Sequence, residues 1–214
     1  MEANGFPHPH YALPEDPAAV SRLVDTVGYD LIAKPRDGKG SRGVFRVNGP
    51  ETLRQAQRLS GYVLEEYVGT DAQEYTVGCY YGLHGELPEP IIMRRELKNG
   101  STWKAEVVRN EAICRSACEI CRKFAPDGPL NIQLRLNAEG VPVPFELNVR
   151  FSGTTPMRAH FGFCDVKAML YESLLHQDIA GCFAIREGKA FRYTEEVYLD
   201  GPVSQTPEGR LIWE

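Results

Sequence analysis

Apolar and polar positions alternate most strictly between Asn131 and Phe151. Ile132, Leu134 and Leu136 are separated by Gln133 and Arg135; then, after Asn137-Ala138-Glu139-Gly140, the odd positions Val141, Val143, Phe145, Leu147, Val149 and Phe151 are apolar, and the even ones are Pro142, Pro144, Glu146, Asn148 and Arg150. A period of two marks strands with one buried face, and the intervening tetrapeptide supplies turn chemistry, so the stretch predicts a hairpin. Pairing Leu136 with Val141, Leu134 with Val143 and Gln133 with Pro144 places Gln133 diagonally from Glu146, about 7 Å away, with Asn148 further along the same polar face.

Elsewhere the period changes. Asp16 precedes Pro17 as an N-cap, and Ala18, Val20, Leu23, Val24 and Val27 form a helical stripe that Gly28 ends. Residues 29–33 read as a short strand that delivers Lys34, residues 44–47 as the return of a hairpin, residues 50–58 as a helix carrying Leu53 and Ala56, and residues 62–66 as a strand. From Tyr67 onward strands dominate, at 74–82, 90–96 and 102–109. A helix over 110–125 carries Ile113, Ala117, Ile120, Cys121 and Phe124, and another over 165–177 carries Val166, Met169, Leu170, Leu174 and Leu175. A terminal strand is expected at 192–199. The resulting division is an entry segment at 1–13, a small lobe at 14–66, a larger one at 67–200 and a loose tail at 201–214.

Composition excludes more than it assigns. With 24 basic and 29 acidic residues the net charge is −5 and no basic run stands out, which disfavours a nucleic-acid binder. Apolar runs are too short for a membrane span and the first residues lack signal-peptide character, so a cytoplasmic protein is expected. Cys114, Cys118 and Cys121 have the C-x3-C-x2-C spacing of some iron–sulfur sites. A helix would separate the outer two by about 10 Å, so they are expected as small buried hydrophobes. His8 and His10, beside prolines near the terminus, are expected to be exposed.

Two stretches carry candidate chemistry. Gln133, Glu146 and Asn148 bring a carboxylate and two amide oxygens together, a hard-ligand set suited to Mg²⁺ with water and phosphate completing the shell; Arg150 extends that face as an oxyanion partner. The alternative is a solvated polar face. Residues 34–44, KPRDGKGSRGV, set Gly38, Gly40 and Gly43 among Lys39, Ser41 and Arg42. Glycines admit backbone N–H groups to an anion and the cations neutralise it, as a triphosphate would require, although the stretch matches neither the P-loop nor the dinucleotide fingerprint. The alternative there is a flexible hairpin tip. Arg94, Arg95, Lys98 and Lys104 cluster around a later loop.

In this order the parts resemble the ATP-grasp superfamily, and within it proteins similar to the ATP-binding domains of carbamoyl-phosphate synthase large chains, over about residues 5 to 185. The resemblance implies an α+β fold of two α+β lobes with ATP between their sheets. It also implies Gln133, Glu146 and Asn148 as ligands of Mg²⁺ (or Mn²⁺), and Arg150 facing the reacting phosphate. Lys34 and the loop of Gly38, Gly40, Ser41, Arg42 and Gly43 would hold the nucleotide phosphates, Glu66, Tyr67 and Val68 the hinge that reads adenine, Glu74 the ribose, and Lys104, with Arg94 beside it, a basic cover over the triphosphate. Where the family more often has Asn-Pro-Arg this chain has Asn148-Val149-Arg150, with Val149 expected on the buried face.

The implied activity is an ATP-dependent carboxylate–amine ligase that forms an acyl phosphate from a small carboxylate or bicarbonate, which an amine then attacks. Lys34 and Arg150 would act catalytically, and Arg158 and His160 are candidates for substrate contact. Relatives carry a preceding α/β domain, most of which is expected to be lacking here. The alternative function is therefore a non-catalytic nucleotide-binding module or split subunit working with a separate α/β domain.

Overall fold

The computed structural model describes residues 1–38 and 40–195, and the backbone of two short paired strands, Ser204–Gln205 and Leu211–Ile212. The N-terminal third builds a four-stranded antiparallel sheet from β1 (Tyr11–Ala12), β2 (Leu31–Pro35), β3 (Phe45–Val47) and β4 (Tyr62–Glu66), in the order β1-β4-β2-β3. Two helices, α1 (Pro17–Val27) and α2 (Pro50–Ala56), pack on it. The Asp16 carboxylate accepts from the Ala19 N–H at 3.0 Å, and the Gly28 N–H returns to the Val24 carbonyl at φ +75°, so the expected cap and stop both operate. Val20 and Leu23 then bury against Leu31, Ala33, Val47 and Leu64. β1 comes from the expected entry segment, so that segment is part of the sheet.

The second sheet has six antiparallel strands: β5 (Glu74–Tyr81), β6 (Ile91–Lys98), β7 (Ser101–Val107), β8 (Gly128–Leu136), β9 (Pro142–Asn148) and β10 (Gly188–Phe191), in the order β10-β7-β6-β5-β8-β9. Central β5 and β8 are buried along almost their whole length because both faces are covered. On one face α3 (Glu111–Phe124), capped by Asn110, lays Ile113, Ala117, Ile120 and Cys121 over Val77, Cys79, Ile132 and Leu134. Burial pushes the Cys118 thiol on the same helix up to about 11, away from the thiolate a metal cluster needs. On the other face α4 (Thr155–His160) and α5 (Asp165–Leu170) cover only Tyr80, Ile91 and Met93 and their neighbours. The remainder of that face turns toward the four-stranded sheet and forms a cleft.

Three expectations change. In the hairpin, the Asn137 N–H bonds the Val141 carbonyl, so Leu136 pairs with Pro142 and Leu134 with Pro144; a bulge then sets Gln133 directly opposite Glu146 and Asn131 opposite Asn148. A bulge changes the phase of alternation, and the strict apolar face is lost: Pro142 and Pro144 are buried while Val149, expected inside, is 65% exposed. The helix expected over 165–177 is α-helical only to Leu170 and ends in one π turn, Tyr171–Leu175. Its apolar stripe faces outward and Asp165, Ala168 and Glu172 face inward. Polar anchors fix that rotation, since Glu172 accepts from the Tyr80 hydroxyl at 2.8 Å and the Leu83 N–H at 2.7 Å. β10 ends before Arg192, where the terminal strand was expected to begin; 196–199, and most of the expected tail, lie outside the described residues.

Candidate functional site

The cleft between the sheets has a volume of about 430 Å³, within the range of small-molecule sites. β2 delivers Lys34 to its wall, where the ammonium lies 2.7 Å from Glu65 and donates at 3.2 Å to the Phe145 carbonyl of β9. Glu65 was not among the expected site residues. Its signal was local: it lies opposite Ile32 in β4, on the same face as Lys34 and one step diagonal to it. Burial pushes the Glu65 carboxyl above the ordinary glutamate value, Lys34 counters part of this, and the nearby Glu146 adds to it.

At the hinge, the Glu66 N–H donates to the His10 carbonyl and the Tyr67 N–H to the Asp30 carbonyl, so neither is open to a ligand. Among the described residues Val68 has no such backbone partner, and it is buried at the cleft wall. The Tyr67 ring is held between two guanidiniums, Arg46 from one sheet at 3.1 Å and Arg135 from the other at 4.1 Å. Of the glycine loop, Gly40 and Ser41 line the cleft. Gly38 packs on Pro35, Gly43 on Tyr62 and Pro35, Arg42 is exposed, and Lys39 lies outside the described residues. The loop is met from above by the Asn99-Gly100 turn joining β6 to β7, so closely that a Cβ on Gly100 would collide with the Gly40 carbonyl oxygen.

The floor is built by β5, β6 and β8. Glu74 is buried there with both carboxylate oxygens in use: Oε1 accepts from Arg95 at 2.8 and 3.0 Å, and Oε2 from Arg135 at 2.6 and 3.0 Å. A ribose hydroxyl would compete with this clamp. In the floor itself the Thr76 hydroxyl donates to Asn131 Oδ1 at 2.8 Å, and the Arg158 guanidinium, 1% exposed and outside the cleft lining, reaches both. Gly78 makes the room, since a Cβ there would come within 2.8 Å of that guanidinium. Burial pulls Arg158 down to about 10 despite Asp165 beside it, and pushes the Asp165 carboxyl up. Arg158 thus supports the floor from below, and His160 sits exposed at the end of α4; neither lines the cleft as a substrate contact would.

On β9 the polar side chains converge. Glu146 Oε1 accepts from the Gln133 amide at 3.1 Å and from the Asn148 amide at 2.6 Å. The amide oxygens are held by arginines, Gln133 Oε1 by Arg95 at 2.6 Å and Asn148 Oδ1 by Arg150 at 3.0 Å. The donor types fit a hard divalent cation, and Glu146 has no cationic partner among the described residues. To ligate through oxygen, the two amides must turn. Among the described residues no group of three His, Cys, Asp or Glu is placed to hold a metal, so the amides, water and phosphate have to complete any shell.

The basic cover is arranged differently from expectation. Lys104 pairs with Glu96 at 2.9 Å and Arg94 with Glu106, and neither Lys104 nor Arg94 lines the cleft. Side chains alternate across β6, so Arg95 enters where Arg94 does not. Arg192 also reaches the cleft, a residue that no local pattern singled out.

The family model described as "ATP-grasp in the biosynthetic pathway with Ter operon" matches residues 61–196. No curated protein matches the chain in sequence. Among solved structures, N5-carboxyaminoimidazole ribonucleotide synthetase from Thermus thermophilus has a TM-score of 0.69 at 17% identity, with 88% of this chain and 53% of that chain covered. Carboxyaminoimidazole ribonucleotide synthase from Aspergillus clavatus, complexed with ATP, has a TM-score of 0.68 at 19% identity, with 86% and 52% covered. An L-amino acid ligase from Bacillus licheniformis has a TM-score of 0.62 at 20% identity, with 81% and 45% covered. The chain therefore spans about half the length of the solved proteins whose fold it shares. No helix among the described residues is long and apolar enough to cross a membrane.

Proposed function

Because the chain belongs to the ATP-grasp family of the biosynthetic pathway with the Ter operon, we propose that it binds ATP with Mg²⁺ in the cleft and activates a small carboxylate or bicarbonate as an acyl phosphate for attack by an amine. The observation that carries this reading is the convergence of Gln133 and Asn148 on Glu146, a carboxylate without a cationic partner among the described residues, where Gln133 and Glu146 line a cleft that Gly40 and Ser41 of the glycine loop also line.

In this reading the base lies against Val68 and Ile32, with Val68 as the open backbone at the hinge. Gly40 and Ser41 offer backbone donors to the phosphates, and Lys34 shares its charge between Glu65 and the nucleotide. Glu146, Gln133 and Asn148 would hold Mg²⁺, which when bound offsets phosphate charge. Arg150, at the end of the same strand, stabilises charge on the transferring phosphoryl group. The Gln133–Glu146–Asn148 set keeps the carbamoyl-phosphate synthase-like pattern. No protein nucleophile is required, because positioning and charge stabilisation are what phosphoryl transfer needs.

A second reading is a nucleotide-binding module that works with a partner; it is favoured by the absence of the expected substrate contacts Arg158 and His160 from the cleft lining. Calorimetry with Mn²⁺-ADP tests what both readings share: Glu146→Ala should lower affinity by at least about 100-fold, and unchanged affinity removes the metal site. ADP formation that depends on an added carboxylate or bicarbonate separates ligase from binding module.

A further inference from the structure

Four of the six cysteines gather on the α3 side of the six-stranded sheet, away from the cleft. Cys79 of β5 and Cys121 of α3 are buried in one core cluster; Cys118 and Cys114 follow along α3 toward its N-terminus, and Cys114 packs at the margin of that cluster. All four are free thiols. Of them Cys114 alone lines a pocket of about 360 Å³, where it meets Arg109 and Arg115, Glu89 and Glu111, and an apolar base that includes Ile92 and Val107.

Access and cationic surroundings select which cysteine reacts, because the thiolate is the nucleophile. Here both occur at one thiol. Arg109 is ion-paired with Glu89, whereas Arg115 and Glu111 have no ion-pair partner among the described residues, so the walls offer both signs of charge to a ligand that carries both. The neighbouring thiol cannot expel what Cys114 takes up. Burial, and then Cys114 itself, push the Cys118 thiol up to about 11, which leaves it protonated at neutral pH and a poor attacker. On an intact helix the Cβ atoms of residues i and i+4 stand about 5–6 Å apart, wider than the roughly 3.5–4.5 Å that a disulfide spans. A Cys114–Cys118 bond would therefore require α3 to distort.

We propose that Cys114 is a site of reversible S-thiolation by a low-molecular-weight peptide disulfide that carries both carboxylate and ammonium groups. The Cys114 thiolate attacks one sulfur of the external disulfide, the S–S bond of that disulfide breaks as the mixed disulfide forms, and the other half leaves as a thiolate that takes up the proton lost from Cys114. The cysteine is oxidised and the external disulfide is reduced by the same two electrons. Arg109 and Arg115 hold the adduct's carboxylates, and Glu89 and Glu111 its ammonium group. Since Cys118 does not resolve the bond, the adduct persists until an external thiol reverses the exchange. None of these steps involves the nucleotide cleft.

The test treats the reduced full chain with oxidised glutathione as the zwitterionic probe and with 2-hydroxyethyl disulfide as the neutral one, following intact mass and mapping the modified peptide. One glutathionyl group per chain should appear, at Cys114, and Cys114→Ser should abolish it while Cys118→Ala leaves it in place. Relative to each reagent's rate with free cysteine, the charged probe should react about tenfold faster than the neutral one, the worth of a charge-assisted contact. The double variant Arg109→Ala, Arg115→Ala should lose that preference and keep the wild-type rate with the neutral reagent. High salt should erase the preference in the wild type without any substitution. First modification at another cysteine, equal relative rates for the two probes, or an undiminished preference in the double variant would overturn the site. Loss of two hydrogens in place of a lasting adduct would show that a second thiol resolves the bond, and would overturn its persistence.

Discussion

Near the hinge, Lys34 is matched by Glu65, and Arg95 and Arg135 by Glu74 together with Asp71, whereas past Glu146 neither Arg150 nor Arg192 meets a carboxylate among the described residues. Both ends of the cleft are rich in cations, yet only one is electrostatically finished. Buried and paired charges shape the floor whether or not a ligand is present, and removing one partner leaves the other stranded. Exposed charges held by neutral acceptors contribute little to folding and keep their interaction energy for what binds. The difference separates residues that make the cleft from residues that use it.

The largest expected effect tests the finished end. Glu74→Ala takes from Arg95 its carboxylate partner and leaves Arg135 only the exposed Asp71, with both guanidiniums nearly buried, and should cost about 3 kcal/mol, lowering Tm by about 10 °C in a chain of this size. Glu74→Gln, which keeps part of the hydrogen bonding, should cost less. Arg150→Ala tests the other end: its unfolding free energy without ligand should stay within about 0.5 kcal/mol of wild type. The stabilisation by Mg²⁺-ATP, about 2.7 kcal/mol at a hundred times Kd for the wild type, should shrink to less than half. If Arg150→Ala unfolds the chain as Glu74→Ala does, the distinction between the two ends is wrong.

What could be read from the sequence follows the same division. Helix caps, the glycine loop and the Gln133, Glu146, Asn148 set were visible because each is written in neighbouring residues. The Glu74 clamp was not, because its partners arrive from β6 and β8 and only sheet order brings them together. Arg94 and Arg95 are adjacent and chemically alike, so sequence could not say which faces the cleft; the phase of β6 decides it. The bulge in β9 hid in an alternation that looked regular, and it moved Gln133 from diagonal to opposite Glu146. The α5 stripe misled for a related reason: Arg158 and the sheet hold Asp165 and Glu172 inward, so polar anchors outweigh the apolar pattern.

The roof offers a smaller perturbation. Gly100 sits at φ +71° in the two-residue Asn99-Gly100 turn, against the Gly40 carbonyl. Gly100→Ala adds a backbone penalty of about 1 kcal/mol and pushes the turn off the glycine loop. Stability should fall by about that amount, with faster hydrogen exchange at Gly40 and Ser41. Nucleotide dissociation should quicken, so an unchanged dissociation rate would contradict the roof.

Glu65 gives the smallest effect and the finest discrimination, because its burial outweighs its partner. Its carboxyl titrates above the usual 4.5, raised first by burial, with Lys34 pulling it back and Glu146 pushing it further. Between the unfolded and folded pKa values the native state holds the proton longer than the unfolded chain. This group's contribution to stability is therefore complete below about pH 4.5 and is lost as pH rises through the folded pKa. Glu65→Gln removes that drift, so urea melts at rising pH should show the variant gaining on the wild type until the native carboxyl is fully ionised, and no further change above that point. A variant that instead falls behind as pH rises would mean the Lys34 pairing dominates, and would place Glu65 with Glu74 as a stabilising partner. The expected gain would place it between the two ends: paired, yet held at a cost that Lys34 offsets only in part.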